Sequence, residues 1–173
     1  AEQGSVTIND IDFGTRIELT YTLTDGYSFR AWGTDVSGVT IGNTNTFNMP
    51  ASNMTVTGYG QPIQYQVIYN AGDGGAINGE TSFAVNVNFG GTGDIGYYTT
   101  SGDTNVIATE ETGTLITAER TGYIFSGWRN ADSTETYSNG DAYTHETVGQ
   151  YHLYGIWAPK TYTVRYNGNT GGT

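Results

Sequence analysis

Apolar and polar residues alternate with a period of two along most of this 173-residue chain, the pattern of strands that bury one face. "SVTINDIDFGTRIELTYTLT" places Val6 and Ile8, then Ile17, Leu19 and Tyr21, around "DFGT", and predicts a hairpin over residues 5–22. Met54, Val56 and Gly58 share one strand face, as do Phe83, Val85, Val87 and Phe89, followed by Val106 and Ala108. Near the end His152, Tyr154 and Ile156 alternate against Leu153, Gly155 and Trp157. Gly, Asn and Asp interrupt the alternation every few residues, which marks tight turns. Long runs of Ala, Leu, Glu and Lys, which favour helices, are absent. The expected fold class is mainly β, with short strands and tight turns.

One device occurs twice within this pattern. "DGYSFRAW" and "TGYIFSGW" match Gly26 with Gly122, Tyr27 with Tyr123, Phe29 with Phe125 and Trp32 with Trp128. The Tyr and Phe share a strand face, whereas the Trp, five residues from the Tyr, falls out of phase. A bulge at Ala31 or Gly127 returns it to that face. Polar turns and a closing strand follow each device, ending in "MTVTGYGQP" and "YHLYGIWAP". The second unit opens with "IQYQVIYNAGDGG", a strand and a Gly-rich turn, and the terminal "TYTVRYNGNTGGT" repeats that opening. The first unit starts without it. Three segments are therefore expected: residues 1–60, a module lacking its first strand; residues 61–158, a module with inserted hairpins at about 76–111; and residues 159–173, the first strand and turn of a further module.

The second device with its surroundings, "TAERTGYIFSGWRN…YHLYGIWAPKTYTVRYNGNTGG", resembles the internalin-type B-repeat, also called the Listeria–Bacteroides repeat. Arg120, Gly122, Tyr123, Phe125, Gly127, Trp128, Leu153, Tyr154 and Trp157 carry that resemblance. "DGYSFRAW…NTFNMPASNMTVTG" resembles the divergent B-repeat, with its Phe-x-Met-Pro-Ala-Ser segment at Phe47 to Ser52. The resemblance implies small β-grasp-like modules strung in tandem in bacterial cell-surface and secreted proteins. It implies stalk, adhesion or spacer roles, and it brings no catalytic residues.

Charge narrows the partners. The formal net charge is −11, from 17 acidic and 6 basic residues. Such a surface repels phosphate backbones, and no basic patch offsets it, so nucleic acid is not an expected partner. Without cysteine the chain has no disulfide, no Cys-ligated zinc and no thiol nucleophile. No apolar run approaches the roughly 18 residues that span a bilayer, so this segment is not expected to insert in a membrane. Thr, Asn and Gly richness with a single Lys fits a secreted or surface-exposed bacterial protein, whose targeting segment would lie outside this chain.

The repeated aromatics are either core or a sugar-stacking platform. Fixed spacing with a bulge suits packing, and large aromatics are the best stabiliser for a small module without disulfides. Gly26, Tyr27, Phe29, Trp32, Gly122, Tyr123, Phe125, Trp128 and Trp157 are accordingly expected in the cores. His145, on a loop, and His152, on the closing strand, read as surface or edge histidines rather than metal ligands. Glu110 and Glu111 are adjacent and so point to opposite strand faces; no catalytic constellation emerges. Asp73, Asp94 and Asp103 lie in Gly/Asn turns, where calcium is conceivable, although such aspartates ordinarily cap local backbone. No other cofactor is expected. The single Lys160, at a junction beside Pro159, argues against an isopeptide crosslink.

Three functional readings remain open at this level. The first is a non-enzymatic structural or adhesive repeat segment, whose partners are neighbouring modules. The second is a filament subunit that donates its C-terminal strand, with Tyr162, Val164 and Tyr166 on one face, to the strands of residues 5–22 in another copy. Trimming of a longer protein at a Gly-rich turn is the competing account of those ends. The third is carbohydrate or host-receptor binding through the 76–111 insertion.

Overall fold

The computed structural model describes residues 2–168, which form strands, turns and irregular segments with no helix. The first strands are β1 (Glu2–Ile8), β2 (Arg16–Glu18), β3 (Tyr27–Thr34), β4 (Thr46–Asn48) and β5 (Met54–Pro62). Next come β6 (Gln64–Asn70), β7 (Gly75–Ile77), β8 (Ser82–Asn88), β9 (Thr92–Asp94), β10 (Tyr97–Ser101) and β11 (Thr104–Ile107). The last are β12 (Thr114–Leu115), β13 (Ala118–Arg120), β14 (Tyr123–Asn130), β15 (Thr136–Tyr137), β16 (Ala142–Thr144) and β17 (Tyr151–Pro159). Two compact units result. Unit 1 comprises residues 1–66 with 86–92 and 144–150; unit 2 comprises residues 67–85, 93–143 and 151–173.

Unit 1 contains a three-stranded antiparallel sheet in the order β1-β5-β3. Alternation along β5 turns Met54 and Val56 inward, where they join Phe47 and Met49 as the buried core. Ile8, Ile17, Leu19, Trp32, Val36, Val39 and Ile41 pack around them. The hairpin expected over residues 5–22 does not form. β1 pairs with β5, Val6 opposite Val56, while β2 pairs with β4, Ile17 opposite Phe47. Between β1 and β2 the chain turns through Asp10 and Gly14, both at positive φ (55° and 82°). The Gly14 N–H then donates to the Met49 carbonyl at 2.9 Å.

Unit 2 is built on an eight-stranded sheet in the order β12-β10-β11-β8-β6-β17-β14-β15. β17 lies between β6, to which it is parallel, and β14, to which it is antiparallel. The sheet buries Val67, Tyr69, Val85, Trp128 and Leu153 completely, together with Ala71 and Ile77. β10 and β11 form a tight hairpin, Ser101 opposite Thr104, with Gly102 at φ 61° supplying the turn.

Candidate functional site

The two aromatic devices sit in matching ladders. Tyr27 faces Pro62 and Trp32 faces Gly58; Tyr123 faces Pro159 and Trp128 faces Gly155. The register shifts between Phe29 and Ala31 in one and between Phe125 and Gly127 in the other, the bulge that the Tyr-to-Trp spacing requires. It brings Phe29 within 5.2 Å of Trp32 and Phe125 within 4.8 Å of Trp128, centroid to centroid. Each indole N–H donates to an asparagine oxygen, Trp32 to Asn45 at 3.0 Å and Trp128 to Asn139 at 2.7 Å. The backbone clasp that ends each device also recurs. Ile63 N–H donates to the Gly26 carbonyl, and Lys160 N–H to the Gly122 carbonyl, both at 2.8 Å.

A second recurrence was hidden in the segment read as an insertion. The Gly14–Met49, Met49–Thr15 and Leu19–Asn45 backbone bonds (2.9, 2.8 and 2.8 Å) reappear as Gly90–His145, His145–Gly91 and Ile95–Asp141 (2.7, 3.0 and 2.8 Å). Residues 89–95 therefore correspond to residues 13–19. What lacks a counterpart shrinks from 76–111 to the stretch around β10, β11 and β12.

These correspondences expose a difference. Beside Trp128 the space is filled: Tyr69 of β6 meets its ring edge-on at 4.8 Å and accepts the Gly96 N–H at 3.0 Å through its hydroxyl. Beside Trp32 it is open. Gly4, Val6, Thr20, Tyr21, Leu23, Phe29, Trp32, Val56, Gly58 and Tyr59 surround a cleft of about 250 Å³. Tyr21 leans over its mouth, stacked on Phe29 at 4.3 Å, yet stays 46 % exposed. Trp128 is fully buried, whereas Trp32 is only half-buried.

The remaining sequence candidates are dispersed. Gly26 is buried and Tyr27 half-buried against Phe89, rings 5.7 Å apart. Tyr123 lies under the Arg120 guanidinium at 3.9 Å. Trp157 sets its edge on Phe125 at 5.4 Å and donates to the Ala71 carbonyl at 2.8 Å. Asp73 and Asp103 are exposed in separate turns, and Asp94 accepts the Glu110 N–H at 2.8 Å, so the three aspartates share no site. Among the described residues no cluster of His, Asp and Glu has the makings of a metal site. Tyr162, Val164 and Tyr166 are 76, 72 and 92 % exposed in a segment with no strand pairing.

His145 departs from the surface or edge position expected of it. It is completely buried because it takes, in its ladder, the inward place that Met49 takes in the other. Burial pushes its pKa below the ordinary 6.5, against backbone hydrogen bonds with Gly149 and Thr147 that raise it. The unfolded chain thus gains a proton below about pH 6.5 that the folded chain refuses. Stability is full above that pH and declines as pH falls beneath it. The denaturation midpoint is expected to drop between about pH 6.5 and 5, ahead of carboxylate titration. His145→Met should flatten that window; an unchanged slope would contradict the assignment.

The family relationship agrees with the resemblance carried by the first device and by Phe47 to Ser52. Residues 1–60 match the family model of the divergent InlB B-repeat domain. No curated protein and no solved structure matches the chain. The B-repeat family is one of non-catalytic structural repeats, and it suggests a structural repeat of a bacterial surface protein. The match spans the first 60 residues, which include every residue lining the aromatic cleft.

Proposed function

We propose that the chain is a non-enzymatic segment of tandem B-repeat-like modules from a bacterial secreted or cell-surface protein, serving as stalk or spacer. One observation carries the reading: the bulge, the indole–asparagine bond, the Gly26/Ile63 clasp and the Gly14/Met49 ladder all recur in residues 64–160. A backbone bonding scheme that repeats while its side chains change points to one small β module used twice. The β-grasp-like form is what the resemblance implies; the described residues are mainly β, without a helix. Modules so built carry load through their ladders, and a net charge of −11 keeps neighbouring chains apart.

Antibodies raised against the folded chain test the location. They should label intact source cells or the culture medium; labelling only after permeabilisation would contradict the reading. An adhesive role has one structural pointer, an open cleft in unit 2 lined by Tyr123, Phe125 and Trp157 with Arg120 and Glu119. Aromatic faces beside charged groups suit carbohydrate stacking, and this cleft lies largely outside the 76–111 segment to which the third of the open readings assigns a ligand.

A further inference from the structure

The filled cleft of unit 2 shows what belongs in the open one of unit 1. In unit 2 the occupant is β6, "QYQVIYN", whose Val67 and Tyr69 are fully buried. It runs parallel to β17 with Val67 opposite Tyr151 and Tyr69 opposite Leu153, and the Asn70 amide donates to the Leu153 carbonyl at 3.1 Å. In unit 1 that place is taken by β1, which runs antiparallel to β5 and has no ring to set against Trp32. β1 pairs directly with β5, and the positions matching the Trp128 surroundings, Phe29, Trp32, Val56, Gly58 and Thr20, line empty space. The chain carries a second segment of the β6 type. Tyr162-Thr-Val-Arg-Tyr-Asn167 repeats Tyr65-Gln-Val-Ile-Tyr-Asn70 at every aromatic and β-branched inward position, and it is exposed and unpaired.

A second pair of surfaces matches independently. Within unit 1 the Phe89 ring packs so closely on Gly26 that a Cβ there would lie 2.2 Å from it, and the Phe89 N–H donates to the Ile63 carbonyl at 2.9 Å. Phe13, the counterpart of Phe89, is 78 % exposed. Gly122, the counterpart of Gly26, has no atom of the described residues within 4 Å of where its Cβ would lie. One bare ring and one bare glycine are thus left over, in the same molecule and in complementary form.

We propose that the aromatic cleft of unit 1 accepts residues 162–167 of a second copy of this chain, and that the Phe13 ring seats on that copy's Gly122. The inference rests on reading the chain as tandem modules. The register follows from β6: Val164 opposite Met54, Arg165 opposite Thr55, Tyr166 opposite Val56 and Asn167 opposite Thr57, parallel to β5. Val164 and Tyr166 enter the cleft, Tyr166 against Trp32 as Tyr69 lies against Trp128. The Asn167 amide donates to the Val56 carbonyl. Arg165 comes beside Thr55, whose N–H is held by the Asp35 carboxylate at 2.7 Å, a favourable place for a cation in an acidic chain. β1 yields its ladder with β5 and re-pairs on the donor, as β8 lies beside β6. One ladder is lost and two are made. The apolar contact at stake on β1 is that of Ile8 with the core, since Val6 is already 53 % exposed. A contact between unlike surfaces leaves a free donor and a free acceptor on each dimer, so the product is a head-to-tail assembly.

Sedimentation of the full chain tests this. Its weight-average mass is expected to rise at least about twofold between about 1 and 100 μM. Tyr166→Asp blocks the donor and Phe13→Asp the acceptor, and both side chains are too exposed to affect the fold. Each variant alone should be monomeric. Mixed in equal amounts they should form a dimer and stop, because the mixture holds one good donor and one good acceptor. A wild-type chain that stays monomeric throughout, or a mixture that stays monomeric, overturns the proposal. Either result leaves the surface-repeat reading standing, since the labelling of intact cells decides that separately.

Discussion

Trp128→Ala is expected to destabilise unit 2 by about 3–5 kcal/mol, enough to unfold a module of ordinary stability. The indole is fully buried and touches Tyr69 and Phe125 at 4.8 Å each, so its removal leaves a large void lined by aromatic rings. It also strips the Asn139 oxygen of its donor. The Asn139 side chain lies over Gly96, which has no Cβ to crowd it. The matching Trp32→Ala change should cost less, about 1–3 kcal/mol, because Trp32 already borders open space. Chemical denaturation of both variants checks the order. Equal losses would contradict the distinction between a filled and an open cleft.

Tyr69→Ala carries the second large effect, about 3–5 kcal/mol. The truncation opens beside Trp128 a cleft of the kind that unit 1 has beside Trp32, and it removes the acceptor of the Gly96 N–H. The same phenol sets an alkaline limit. Burial pushes its pKa up to about 12 although the Gly96 bond pulls it down. The unfolded chain releases that proton near pH 10, the folded chain later, so stability is full below pH 10 and falls as pH rises toward 12. The loss from this one group is about 2–3 kcal/mol. Tyr69→Phe should remove that share of the alkaline decline, leaving the part due to Tyr143 and Tyr151, which are also raised by burial. An alkaline profile identical in Tyr69→Phe and wild type would count against it.

What could be read in the sequence was whatever is local. The Gly-Tyr-x-Phe-x-x-Trp device declares itself because the glycine, the rings and the bulge lie within seven residues, and the structure uses each of them. Strand partners were not legible. Alternation shows that residues 5–8 and 17–21 are extended, but it does not say that β1 takes β5 rather than β2 as its partner, since either offers an apolar face. The Phe13–Leu19 recurrence at Phe89–Ile95 was missed for a different reason. Phe13 lies 13 residues before Gly26 but Phe89 lies 33 before Gly122, so the constant spacing that reveals a repeat is broken by β10, β11 and β12. His145 and Met49 share backbone bonds and not chemistry, and a buried imidazole in a methionine's place leaves no sequence signal. The indole acceptors mislead similarly. Asn45 and Asn139 serve the same N–H from different positions in their turns, so function is kept while alignment is lost.

The contrast between the two clefts is the centre of this account, and the indole protons report on it directly. The chain has three tryptophans, and hydrogen exchange at each ring nitrogen can be followed by NMR as a separate signal. In dilute solution Trp128 is expected to exchange only when unit 2 opens, while Trp32 exchanges at least about a hundredfold faster through the open cleft. Adding a peptide of residues 160–168 should slow Trp32 and leave the other two unchanged. Trp32 as protected as Trp128 from the outset, or indifferent to the peptide, would contradict the claim that one cleft is filled and the other waits for its strand.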